Sequence, residues 1–165
     1  MNQFEDTQSG KYLTFIVQDD IYGLEIKHVV DIIGIQDVTN VPRQEFYIKG
    51  VFNLRGKIVP IMDVRKRFNK EEREYDDRTC IVVVEIEGIT VGIIVDTVLD
   101  VMAIGEDMIS AAAAIEGVME NEYIFGIAVV EDRSIIILEC VNLLELKERG
   151  FLADELLGKA GEETA

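Results

Sequence analysis

The chain has 165 residues, 48% of them hydrophobic, and carries 32 acidic against 16 basic side chains for a formal net charge of −16. That apolar content can fill the core of one domain or two small ones, whereas the charge opposes binding to phosphate backbones and to anionic membrane surfaces. Two prolines and the lack of any low-complexity run argue against disorder.

The N-terminus, MNQFEDTQSG, is polar and acidic and lacks the basic and apolar regions of a secretory signal. Apolar stretches such as IFGIAVV fall well short of the roughly 20 residues of a membrane span. A soluble cytoplasmic protein without membrane insertion is expected. KYLTFIVQ (Lys11 to Gln18) reads as a strand apolar on both faces, hence buried on both. Asp19-Asp20 marks a turn and IYGLEI the return strand. His28 follows in EIKHVVDII, where polar and apolar positions alternate irregularly, and reads as a surface residue.

A second hairpin lies in YIKGVFNLRGKIVPIMDVRKRF, Tyr47 to Phe68. Its tip is Asn53-Leu54-Arg55-Gly56, in which Asn53 and Gly56 tolerate positive φ. Arg55 either solubilises the turn or presents a guanidinium whose planar fork suits a carboxylate. The residues alone leave both readings open. NKEEREYDD (Asn69 to Asp77) reads as an exposed charged connector.

Beyond it the pattern recurs. CIVVVEIEGITVGIIV is strand, turn at Glu87-Gly88, and strand. VGIIVDTVLDV (Val91 to Val101) repeats YGLEIKHVVDI (Tyr22 to Ile32) 69 positions on, so that Gly92 matches Gly23 and Asp100 matches Asp31. MISAAAAIEGVMENE (Met108 to Glu122) reads as a loop. YIFGIAVVEDRSIIILECVNLL (Tyr123 to Leu144) then repeats the second hairpin 76 positions on, with an acidic tip, Val129-Val130-Glu131-Asp132, where the first copy carries Arg55. Leu152 and Leu156 sit at helical spacing in a tail that should add a short helix and fray into an acidic end.

Two copies are too few for a solenoid. Two small closed barrels, which hide their strand edges, fit better. The expected division is one domain over residues 1–165 with subdomains at about 11–68 and 79–146 and an acidic tail at about 147–165.

No catalytic constellation is present. A single histidine leaves one possible base for a nucleophile, no GxxxxGK or GxGxxG loop occurs, and Cys80 and Cys140, without a CxxC pattern, read as core residues. No metal, cofactor or enzymatic activity is expected, and a binding module is the reading that remains.

IKGVFNLRGKIVPIMDVR, with Gly50, Asn53-Leu54-Arg55-Gly56, Pro60 and Asp63, resembles the signature of the bacterial chemotaxis coupling protein (CheW) family, and the resemblance runs over about residues 11–146. It implies an all-β fold of two five-stranded SH3-like barrels related by a pseudo-two-fold, with short helices, a C-terminal helix and a shared apolar groove. It further implies a cytoplasmic adaptor that joins chemoreceptor tips to the regulatory domain of a sensor histidine kinase. A receptor tip, being a helical hairpin, would dock helix-in-groove. By motif position Arg55 matches an arginine tied to coupling that pairs with an acid at Asp31. Glu is usual at that position, so Asp31 shortens the reach by one methylene. Val29, Ile32 and their repeat equivalents Val98 and Val101 are the candidate groove residues, and Asn53, Leu54 and Gly56 complete the turn motif. The alternatives are a coupling scaffold of a non-motility pathway, or a double barrel whose groove holds a small molecule.

Overall fold

The computed structural model describes residues 10–40, 48–111 and 123–144. Its strands are β1 (Lys11–Val17), β2 (Asp20–Glu25), β3 (Val29–Gly34), β4 (Ile48–Leu54), β5 (Lys57–Asp63), β6 (Cys80–Ile86), β7 (Ile89–Val95), β8 (Thr97–Ala103), β9 (Ile109–Ala111), β10 (Ile124–Val130) and β11 (Arg133–Leu138). Two short helices, α1 (Val64–Arg67) and α2 (Cys140–Leu144), follow β5 and β11. Among the described residues no helix is long and apolar enough to cross a membrane.

The hairpins close with positive φ at their tips: Arg55 (51°) and Gly56 (87°), Glu87 (53°) and Gly88 (80°), Glu131 (50°) and Asp132 (66°). Two successive left-handed residues match the right-handed twist of the flanking strands. Asn53 takes a different part from the one its residue type suggested. It ends in strand conformation, and its Oδ1 accepts the Gly56 N–H at 2.7 Å.

The strands form a six-stranded sheet, in the order β8-β1-β2-β11-β10-β9, and a five-stranded sheet, in the order β3-β6-β7-β5-β4. Neither sheet coincides with one half of the sequence. The first hairpin of each half is exchanged: β1–β2 joins strands β8 to β11, and β6–β7 joins β3 to β5. The expectation of one barrel from residues 11–68 and another from 79–146 is corrected accordingly. Connector length explains the exchange. Within its own half, β3 would flank β1 on the side opposite β2 and run parallel to β2, so the link would have to return the length of a strand, about 20 Å for six residues. Glu25 to Val29 spans four Cα steps, at most about 14 Å, and Val95 to Thr97 spans only two. Each chain segment must therefore run onward into the other sheet.

The pairings carry the two-fold. Ile61 lies opposite Gly92 in the parallel pair β5/β7, and Ile137 opposite Gly23 in β11/β2. Both glycines make room: a Cβ on Gly92 would sit 2.6 Å from Ile61 Cδ1, and one on Gly23 3.1 Å from Ile137 Cδ1. Register shifts recur at Ile48/Gly50 and Ile124/Gly126, and at Leu13/Phe15 and Val29/Asp31. The sixth strand, β9, has a reduced counterpart in the isolated bridge Thr39–Val51, which is why the sheets hold six and five strands where five and five were expected.

The doubly apolar strands now have a cause. On β6, Ile81 and Val83 fill the interior of the five-stranded barrel with Phe52, Val59, Ile61 and Ile94. Val82 and Val84 face the other way, into a core shared with Leu13, Phe15, Val17 and Leu24 of the six-stranded sheet. A smaller cluster, Ile104, Ala128, Ile135 and Ile137, fills the second barrel. The molecule is two SH3-like barrels fused through a third core.

Ile109–Ala111, expected in a loop, forms β9. Residues 112–122 and the expected C-terminal helix at Leu152 and Leu156 lie outside the described residues. The connector is not merely exposed, since its Tyr75 packs on the five-stranded core and donates to Asp63 Oδ2 at 2.9 Å. Cys140 is buried and Cys80 half-buried.

Candidate functional site

The β4–β5 tip positions the leading candidate. Arg55 sits in the left-handed region at the turn, and its Nη2 reaches 3.2 Å from Asp31 Oδ2. The shorter aspartate therefore still reaches. The contact is an ion pair without hydrogen-bond alignment, since the buried Oδ2 has no hydrogen-bond partner, while Oδ1 accepts the Ile32 N–H at 2.9 Å. Arg55 is 81% exposed and Asp31 23%. Such an exposed pair is worth about 0–1 kcal/mol, too little to explain the tip by stability. Its effect is to lay a guanidinium along the start of β3.

The repeat breaks symmetry at this point. Asp100, the equivalent of Asp31, accepts the hydroxyl of buried Thr14 at 2.6 Å, and the hydroxyl also bonds Asp100 O at 2.9 Å. Where Thr14 stands in one copy the other has Val83, and where Arg55 stands in one the other has Glu131. Asp100, itself exposed, takes the hydroxyl of a buried threonine; half-buried Asp31 is left to an exposed arginine.

The remaining candidates divide by strand face. Val29 and Val98 are half-buried against the shared core. Ile32 is 40% and Val101 49% exposed. Strands β3 and β8 are the terminal strands of their sheets. Period-two alternation therefore adds Val30 (54% exposed) and Leu99 (39%), which sequence reasoning missed. The outward rows are Val30 with Ile32 on β3 and Leu99 with Val101 on β8. Among the turn residues, Asn53 is exposed and Leu54 is half-buried against the five-stranded core.

A second polar cluster escaped the sequence reading because its members are 31 and 78 positions apart. Asp96 is the single residue between β7 and β8. Its Oδ1 accepts Arg65 Nε at 2.8 Å, and its Oδ2 accepts Arg65 Nη2 at 2.5 Å and the Gln18 N–H at 2.7 Å. Burial alone would raise the Asp96 carboxyl, but the bonds from Arg65 and Gln18 and the charges of Arg65 and Arg73 hold it below its ordinary range. The cluster joins the β1–β2 turn of one sheet to α1 of the other. His28, expected on the surface, is half-buried, and burial lowers its pKa against the pull of Glu25. Among the described residues no group of three or more His, Cys, Asp or Glu is placed to hold a metal ion.

The family model for the CheW-like domain matches residues 11–148. The chain is 34% identical over 143 residues to the chemotaxis protein CheW of Klebsiella aerogenes, covering 87% of this chain and 86% of that one. It is 40% identical over 111 residues to the chemotaxis protein CheW of Bacillus subtilis, covering 67% and 70%. The crystal structure of the scaffolding protein TtCheW from Thermoanaerobacter tengcongensis superposes with a TM-score of 0.76 at 33% identity, covering 84% of this chain and 94% of that one.

Proposed function

The chain belongs to the CheW-like family, and from that membership we propose that it is a non-enzymatic scaffold joining the cytoplasmic tips of chemoreceptors to the regulatory domain of a sensor histidine kinase. A coupling role in chemotaxis accords with the names of its relatives and with its likeness to a scaffolding protein of known structure. In this reading the chain is one CheW-like domain working in the cytoplasm.

The observation that carries the reading is the pair of repeat-equivalent apolar rows, Val30 and Ile32 on β3 and Leu99 and Val101 on β8, with the Arg55–Asp31 pair beside the first. An amphipathic helix lays its apolar face on such surfaces, and an arginine fork at the rim selects the register of a partner by a carboxylate. Receptor state would then reach the kinase as a difference in binding free energy between its states.

The test is reconstitution with a receptor tip fragment and a histidine kinase, read as phosphorylation rate. Arg55→Glu should weaken ternary assembly or kinase activation while the circular dichroism spectrum and melting temperature stay at the parent's values. A variant that assembles and activates like the parent would remove Arg55 from the mechanism.

A further inference from the structure

The exposed pairs Val30 with Ile32 on β3 and Leu99 with Val101 on β8 are repeat equivalents at the offset of 69. A two-fold operation that exchanges them also reverses a helix laid across them, so the apolar pairs fit a helix equally well in either direction. Apolar contact is non-directional and cannot choose between the two. Charge can.

The charges break the symmetry. Asp31 on β3 and Asp100 on β8 are equivalent positions, but their surroundings differ. Half-buried Asp31 faces the guanidinium of Arg55, which is 81% exposed and carries its positive charge outward. The position equivalent to Arg55 is Glu131, and the backbone is the same at the two tips, with φ +51° and +50° at these residues. The first tip reads Arg55-Gly56-Lys57 and is basic; the second reads Glu131-Asp132-Arg133 and is acidic. Asp100 is exposed, and among the described residues no basic side chain pairs with it. In place of an arginine it has Thr14, buried on β1, whose hydroxyl donates to Oδ1 at 2.6 Å and accepts the Asp100 N–H at 3.3 Å. Val83, the equivalent of Thr14, can do neither. The hydroxyl fixes the carboxylate without neutralising it. One end therefore shows a guanidinium over a covered carboxylate, and the other an uncovered carboxylate in the barrel whose tip is acidic.

We infer that Asp100 takes a basic side chain of the docked partner, in the part that Arg55 plays for Asp31, and that this charge, opposite in sign to Arg55, admits the partner helix in one direction. The occupant is an amphipathic helix with a carboxylate toward the Arg55 end of its apolar face and an arginine or lysine toward the Asp100 end. The inference rests on the helix-docking reading above and adds to it the sign of the partner's charge at each end. Reversing the helix sets its carboxylate against Asp100 and its cation against Arg55, so like charges oppose the wrong direction as opposite charges favour the right one. Each exposed pair carries up to about fivefold in affinity. The two directions should therefore differ by roughly tenfold at low salt and converge as salt screens the ends.

The experiment uses the full chain with 13C-labelled isoleucine, leucine and valine methyl groups. The probes are three synthetic amphipathic helical peptides that share one apolar face and carry a nitroxide at the N-terminus. One has its carboxylate in the N-terminal half and its arginine in the C-terminal half, the second has them exchanged, and the third is uncharged. The acid-first peptide should broaden Val30 and Ile32 most, the base-first peptide Leu99 and Val101, and the uncharged peptide both pairs alike. Asp100→Asn keeps the shape of the side chain and leaves Thr14 the Asp100 O, 2.9 Å away, as an acceptor; it should lower the preference roughly threefold. The double variant Arg55→Glu with Asp100→Arg should exchange the two charged patterns. Equal broadening of both pairs by the charged peptides, or a preference indifferent to Asp100→Asn, would overturn the inference and leave the docking surface in place. Broadening of neither pair by any of the peptides would overturn both.

Discussion

Asp96→Ala should be among the most damaging polar substitutions in the molecule. The side chains of Asp96 and Arg65 are 11% and 10% exposed, and the carboxylate takes both prongs of the guanidinium together with the Gln18 N–H. Truncation strips the buried Arg65 charge of its two-pronged partner and leaves the Glu71 carbonyl, 2.8 Å from Nη1, as its hydrogen-bond acceptor among the described residues. Removing one member of a buried pair costs about 3–5 kcal/mol. With a urea slope of roughly 2 kcal/mol/M for a chain of this size, the unfolding midpoint should fall by about 1.5–2.5 M at unchanged slope. The loss should depend on pH in a definite sense. The folded Asp96 pKa lies below the ordinary 3.8, so its contribution is present above that value and is lost as pH falls through the folded one. The variant and the parent should therefore converge in acid. A midpoint within about 0.5 M of the parent, or a difference independent of pH, would show that the clamp between the sheets does not hold them.

Two further predictions test the frame around the site. Gly50 has φ +152°, and a Cβ there would lie 2.0 Å from the Thr39 carbonyl oxygen, whereas a Cβ on Gly92 meets side-chain atoms, Ile61 Cδ1, Ile81 Cγ2 and Phe52 Cε1. Gly50→Ala should therefore cost roughly 2–6 kcal/mol from strain and overpacking together, and Gly92→Ala about 1–3 kcal/mol; equal losses in urea titrations would contradict the backbone clash. His28 has its pKa lowered by burial from 6.5, so the unfolded chain takes up the proton first and stability falls as pH drops through that value. Comparing unfolding midpoints at about pH 7.5 and 5.5, His28→Gln should lose less than the parent, and equal losses would rule the residue out as a source.

Much of the fold was legible because it is local. The alternation in KYLTFIVQ marked a strand buried on both faces, and the structure shows both in use, Leu13, Phe15 and Val17 in the shared core and Tyr12 against the cluster of the six-stranded barrel. The matched glycines at 23 and 92 marked the duplication, and the structure adds that a neighbouring strand approaches closely at both. At the site, motif position brought Arg55 and Asp31 together across 24 residues, and the pair forms. Burial along β3 alternates residue by residue, with Val29 half-buried and Ile32 exposed, so the exposed row that holds Ile32 also holds Val30.

By itself the sequence determined the strands, their turns and the duplication, since each depends on propensity and period within a few residues or on comparison at a constant offset. Only the tertiary structure decided which sheet each hairpin joins, that Asp96 gathers Arg65 and Gln18, and that Tyr75 packs on the five-stranded core and bonds Asp63. Those outcomes depend on how far a three-residue or one-residue link can reach and on which buried charge finds a partner, and neither quantity is written in any local window of the chain.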